Sequence, residues 1–119
     1  MNKNCSVYKT ASFICKKWTM LILLELYRGK GEWKRYSHIK TKLNGITPKM
    51  LSARLKELKG EGMIKKRVDV NTFPIRSEYC LTKTGKDFIK IIKSIKEWTL
   101  KWKTKNTDCE KNDCEMCEL

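Results

Sequence analysis

Apolar residues recur along this chain with two different periods, and the change from one to the other falls close to Gly62. Up to that glycine the spacing is helical. Val7, Tyr8, Ala11, Phe13, Ile14 and Cys15 predict a first helix over Val7 to Lys16. Trp18 to Tyr27 is apolar around most of its circumference, which predicts a central helix buried on several sides and stopped by Arg28-Gly29-Lys30-Gly31. Tyr36, Ile39 and Leu43 form a shorter stripe with Ser37 placed to start it, and Asn44-Gly45 turns the chain into the next element. That element, from Thr47 to about Gly60, has the clearest punctuation. Thr47 offers a side-chain acceptor to orphan amides, Pro48 has no amide to orphan, and Gly60 or Gly62 supplies a left-handed stop. Leu51, Leu55 and Leu58 share one face of this helix, while Lys49, Ala53 and Lys56 lie opposite with Ser52 on the flank.

Past Gly62, Met63 to Val70 and Ser77 to Leu81 predict two strands, joined by a tip from Asn71 to Arg76 that Asn and Pro punctuate. Thr82 can cap a final helix that continues to about Lys103, with Phe88, Ile91, Ile92, Ile95, Trp98 and Trp102 along one side. Ile89 and Leu100 widen its apolar arc to about 200°, twice the roughly 100° that a single core contact requires. The surplus predicts a second buried contact, most simply another copy of the chain. After the first helix, three helices, a hairpin and a closing helix give an α+β, mostly helical fold. The expected architecture is a winged helix-turn-helix with a two-stranded wing and a long C-terminal dimerisation helix.

Composition adds a partner class. Of 119 residues, 27 are Lys or Arg and 13 are Asp or Glu, a formal net charge of +14. Residues 104–119 hold five acids against two lysines, so that segment carries −3 and residues 1–103 carry +17. A body so basic favours a polyanion, because each cation that neutralises a phosphate releases condensed counterions. Composition alone leaves DNA, RNA and an anionic membrane open as that polyanion. With the winged-helix architecture above, two units are expected: a DNA-binding domain over 1–103 and an acidic, cysteine-rich tail over 104–119, disordered unless something ties it down.

The start, Met1-Asn2-Lys3-Asn4-Cys5, leads into mixed polar sequence rather than an apolar targeting core, so a cytoplasmic protein is expected. No membrane association is expected, because the most apolar run, Trp18 to Tyr27, is too short to span a bilayer and contains Glu25. Six cysteines then read as thiols, ligands or redox switches rather than a disulfide framework. Cys15 and Cys80 occupy periodic apolar positions and are expected to be inert core residues. Cys5, beside Lys3 and Lys9 and just ahead of a helix, has the surroundings that favour a thiolate and is the redox candidate; an unremarkable exposed thiol is the alternative. Cys109, Cys114 and Cys117 match the spacing of three ligands of plant-type iron-sulfur sites. The tail lacks a fourth ligand, which Cys5, Cys80, His38 or a second subunit would have to supply. Zinc or iron-sulfur binding, redox pairing and no function all stay open for these three, and no cofactor is required. His38, the only histidine, has no nucleophile or carboxylate at a recognisable spacing, and no phosphate-binding glycine loop occurs, so no enzyme is expected.

Certain residues together carry a more specific resemblance. They are Cys5, Lys17-Trp18 with Leu21-Ile22-Leu23, Arg35-Tyr36-Ser37 with Ile39, Gly45-Ile46-Thr47, Lys49-Met50-Leu51, Leu55, Leu58, Gly62-Met63-Ile64, Pro74, Glu78-Tyr79, Leu81-Thr82 and Gly85. In this order, over about residues 5 to 100, the chain resembles the HxlR-type family of small winged-helix transcription regulators, close in architecture to the MarR group. The resemblance implies double-stranded DNA as partner and a symmetric homodimer held by the first and last helices. It also implies that some members respond to oxidants through the cysteine that Cys5 matches. Ser6 stands where that pattern has proline, and His38 where an acid is common. The expected DNA contacts are Thr47, Pro48, Lys49, Ser52, Ala53, Arg54 and Lys56 on the helix and Lys65, Arg67 and Arg76 on the wing, with Lys66 beside them. Charge on an exposed hairpin also serves solubility, so the wing residues carry that alternative. Two other functions compete: a metal or thiol-redox protein working through its tail, and a sequence-indifferent, chromatin-like DNA binder.

Overall fold

Thr47 closes the start of its helix as the sequence requires, its hydroxyl accepting the Met50 N–H at 3.1 Å. The computed structural model describes residues 1–117, without the side chain of Asp108; Glu118, the last acid of the tail, lies outside the described residues. In chain order the elements are α1 (Ser6–Ile14), α2 (Thr19–Tyr27), β1 (Lys34–Arg35), α3 (Tyr36–Lys42), α4 (Pro48–Gly60), β2 (Ile64–Asp69), β3 (Arg76–Leu81), α5 (Lys83–Trp102) and α6 (Thr107–Lys111). A single 3₁₀ turn follows at Cys114–Met116.

The helices follow the apolar periods. Ile22 and Leu23 of α2 are fully buried, and Ile39, Leu51, Leu55 and Leu58 close on them from α3 and α4. Each such leucine is worth about 1.5–3 kcal/mol relative to leaving it in water. Gly62 stops α4 with φ +75°, a conformation that a Cβ would strain, and the chain passes straight into β2. Gly60 remains helical.

β2 and β3 pair antiparallel, Ile64 opposite Leu81 and Asp69 opposite Arg76, as the hairpin pattern predicts. A third strand joins them. β1 pairs with β3 through Lys34–Tyr79 and Arg35–Glu78, giving the order β1-β3-β2. Residue pairs across a sheet share a face, so Lys34 points inward beside Tyr79 and is buried. Its ammonium donates to the Gly31 carbonyl; burial pushes its pKa down, and Glu25 partly offsets this.

Thr82 is the joint of the molecule. Its hydroxyl accepts the Gly85 N–H (3.2 Å) at the start of α5 and donates to the Gly62 carbonyl (2.6 Å) at the end of α4, while its own N–H donates to Met63 O (3.0 Å).

Three local expectations change. Ser37 does not cap α3; Arg35 precedes that helix in extended conformation with no side-chain cap bond. Cys15 lies just beyond α1 and is exposed, because the helix ends at Ile14 and turns the next residue outward. The tail is tied down: Lys96 Nζ donates to Asn112 O (2.7 Å), Gly29 N donates to Glu115 O (2.6 Å), and Cys114 is buried.

Candidate nucleic-acid interface

α4 presents two sides that differ in chemistry. Leu51, Leu55 and Leu58 anchor it to the core, and Pro48, Lys49, Ser52, Ala53 and Lys56 are exposed along its outer face, with Thr47 exposed at its start. Small residues at 52 and 53 between two lysines let a helix backbone approach a groove while cations reach the phosphates on either side. Arg54 behaves differently. It is half-buried and its Nε donates to the Lys17 carbonyl (3.2 Å), so the fold draws it back toward the body.

Ser52 also has a partner that the sequence does not announce. Tyr36 on α3 places its hydroxyl 3.1 Å from Pro48 O and 3.2 Å from Ser52 Oγ. A phenol has one proton, and its donation to the Pro48 carbonyl leaves the Tyr36 oxygen to accept from Ser52. The Ser52 lone pairs then face outward as acceptors. The sequence signals for Tyr36 were its place in an apolar stripe and in the Arg35-Tyr36-Ser37 part of the resemblance, and neither points to this bond.

The wing cations divide into two sets. On one face Arg67 stacks on Trp33 with its guanidinium carbon 4.3 Å from the ring centroid, and Lys65 Nζ is 5.6 Å from the same ring. Arg67 Nε also donates to Glu78 Oε1 at 3.1 Å, across the strand pair. Trp33 is thus a shelf for the base of the wing, and as a lone aromatic with no periodic partner it drew no expectation. On the other face Lys66 lies over Tyr79, 5.8 Å from the centroid. Arg76 is exposed where the tip rejoins β3.

The cysteines separate by environment. Cys5 stands at the N-cap position of α1, half-buried, its carbonyl accepting from Lys9 N at 3.0 Å. Cys80 is buried as expected; burial pushes its thiol pKa up and Lys65 offsets part of this, which keeps it protonated and inert. Cys109, Cys114 and Cys117 are spread over the tail. Among the described residues no three His, Cys, Asp or Glu side chains gather into a group that could hold a metal ion. Cys109 rides on α6 while Cys114 is buried in the 3₁₀ turn, so the spacing is not translated into convergence. His38, half-exposed, pairs with Glu25, Nε2 to Oε1 3.4 Å, and Arg28 lies 3.9 Å from the same carboxylate.

α5 leaves part of its apolar arc uncovered. Ile89 and Ile92 enter the core, whereas Ile91, Ile95, Trp98 and Trp102 are 50%, 44%, 55% and 67% exposed. Val7 and Tyr8 of α1 and Leu21 of α2 are exposed as well. No helix among the described residues is long and apolar enough to cross a membrane.

A helix-turn-helix with a wing is the architecture of a DNA-binding transcription regulator, and the comparisons agree. The chain belongs to the HxlR-like helix-turn-helix family, whose sequence profile matches residues 13–107. It is 37% identical over 94 residues to the uncharacterised HTH-type transcriptional regulator YvaP of Bacillus subtilis, covering 79% of this chain and 83% of that protein. Its fold is similar to that of a protein described as a transcriptional regulator of the MarR family from Porphyromonas gingivalis, with a TM-score of 0.75 and 34% identity over 86% of this chain and 96% of that one. It is also similar to the redox regulator HypR in its oxidised form, with a TM-score of 0.71 and 28% identity over 84% of this chain and 99% of that one. The chain is a family member with a winged helix-turn-helix fold, and the family consists of transcription regulators.

Proposed function

We propose that this regulator is a cytoplasmic homodimer that recognises a two-fold symmetric DNA site. Each subunit places the outer face of α4 in a major groove and braces the flanking backbone with its wing. The observation that carries this reading is the face of Lys49, Ser52, Ala53 and Lys56, open to solvent while the leucines behind it are locked in the core. Thr47 and Pro48 begin this helix, whose positive dipole end favours phosphate, and Lys65, Lys66, Arg67 and Arg76 extend the cationic surface along the hairpin. The uncovered side of α5, and the exposed Val7 and Tyr8 of α1, support pairing with a second copy.

Selection of bound sequences from a random duplex pool, on reduced and on oxidised protein, tests this reading. The expected product is a pseudo-palindromic motif bound far more tightly than bulk DNA at physiological salt. Equal binding to every duplex would replace it with the chromatin-like alternative. A redox response through Cys5 is the second reading, supported by its position at the start of α1 and by the likeness to HypR. A motif lost on oxidation and retained by Cys5→Ser is the result expected of it; a motif indifferent to oxidation removes it.

A further inference from the structure

The tip of the wing exposes more apolar surface than its turn requires. Asn71 N donates to Asp69 Oδ1 at 3.0 Å and Thr72 Oγ1 donates to Asp69 O at 3.2 Å, so Asp69 and Thr72 hold the reversal. Phe73 takes no part in this. It is fully exposed at 101%, with Val70 at 71% and Ile75 at 61% on either side. A phenylalanine left in water contributes nothing to the core, and a polar residue would serve the turn as well.

What lies behind the tip identifies its occupant. Arg76 stands beside it, Lys66 follows along β2, and Asp69, the nearby acid, has an oxygen committed to the turn. Only Glu61, Gly62 and Met63 separate the hairpin from α4 and its row of lysines. An aromatic at the end of a cationic arm suits a partner that is anionic along its edges and offers flat apolar faces between them. A DNA duplex has both properties, phosphates outside and stacked bases within.

We infer that Phe73, flanked by Val70 and Ile75, is a wedge that enters the minor groove and partly opens one base step in each half-site, while Arg76 and Lys66 hold the adjoining phosphates. This rests on the DNA-binding reading above and adds a second source of specificity to it. Opening a step costs least where the sequence is flexible, so the wing selects pyrimidine–purine steps by their deformability rather than by hydrogen bonds.

The test uses the full chain and a duplex from the random-pool selection, with 2-aminopurine placed at successive positions along both flanks. Wild type, Phe73→Ala, Phe73→Trp and Arg76→Ala are titrated across a salt series. Wild type is expected to raise the fluorescence at one step per half-site. Phe73→Ala is expected to abolish that rise and weaken binding by the dimer about a hundredfold, the scale of two lost aromatic–base stacks, one per half-site, with the salt slope unchanged. Phe73→Trp keeps the rise, and Arg76→Ala keeps it while lowering the salt slope by about two, one phosphate contact per half-site. Tight binding by wild type with flat fluorescence at every step overturns the wedge, as does a Phe73→Ala protein that binds like wild type. A Phe73→Ala protein altered only in sedimentation also overturns it and makes the tip a contact between protein copies. Failure of wild type to bind any selected duplex removes the DNA reading itself, which separates the two.

Discussion

The Tyr36 hydroxyl lies 3.2 Å from Ser52 Oγ, joining the scaffold helix α3 to the outer face of α4. Because Tyr36 gives its proton to Pro48 O, Ser52 is held as an acceptor. Tyr36→Phe frees the serine to donate as well as accept. Sequence selection on that variant is expected to yield a motif relaxed at one position per half-site, where wild type prefers a base that donates in the major groove. The loss in stability should be about 1 kcal/mol, read from urea denaturation. An unchanged motif would show that Ser52 touches no base.

Gly85 bears on stability rather than recognition. A Cβ there would meet Met63 O at 2.1 Å and Leu81 Cδ2 at 3.1 Å, and the carbonyl is backbone that cannot swing aside. Gly85→Ala is therefore expected to force the start of α5 away from β2 at a cost of about 1–3 kcal/mol, and a clearly lowered Tm checks it.

The uncovered side of α5 leads to a test of subunit pairing. Trp98→Glu and Ile95→Lys place charges on positions that are already half-exposed, so the subunit should still fold. Sedimentation is expected to give a monomer in place of a dimer, with affinity for the selected duplex falling by at least about a hundredfold as the linked second half-site is lost. A dimer that survives both substitutions would locate the interface elsewhere.

The tail has a pH window. Lys93 Nζ donates to Tyr27 OH and lies within 2.9 Å of Asp113 Oδ1. The hydrogen bond from Lys93 holds the Asp113 carboxyl below its usual range, and the bonds to Tyr27 and Asp113 hold the Lys93 ammonium above its own. The Asp113 contribution is thus complete above the ordinary carboxylate value near 4 and fades as pH falls through its lower folded value. The Lys93 contribution is complete below about 10.4 and fades only in stronger base. Both groups are partly solvated, which limits the latch to under about 1 kcal/mol. Cys114 reports on it, being buried beneath. Asp113→Asn is expected to speed thiol labelling of Cys114 several-fold at neutral pH while Cys80 stays protected.

The elements legible in the sequence were those whose side chains carry the instruction. Thr47, Pro48, the leucines at 51, 55 and 58 and Gly62 specify α4 almost residue by residue, and the exposed face follows from them. What escaped depends on groups common to all residues or on very short elements. β1 has two residues, too few for any period to show, and its buried Lys34 belongs to a type that reads as surface. The tail is fastened largely through the carbonyls of Asn112 and Glu115, which leave no trace in composition. The hydrogen bond from Arg54 to the Lys17 carbonyl escaped as well, because no spacing rule places that carbonyl within its reach. The cysteine spacing in the tail says little about side-chain direction, because distance along a chain does not aim side chains at a common point.

Thr82 ties the end of α4 to the start of α5 through one hydroxyl that both accepts and donates. In the dimer proposed above, the helix proposed to pair the subunits and the helix proposed to enter the groove are therefore joined at this one residue. Such a molecule works as a calliper with a set span: any signal that tilts the last helix changes the distance between the two jaws, and with it whether they still fit the pitch of the duplex.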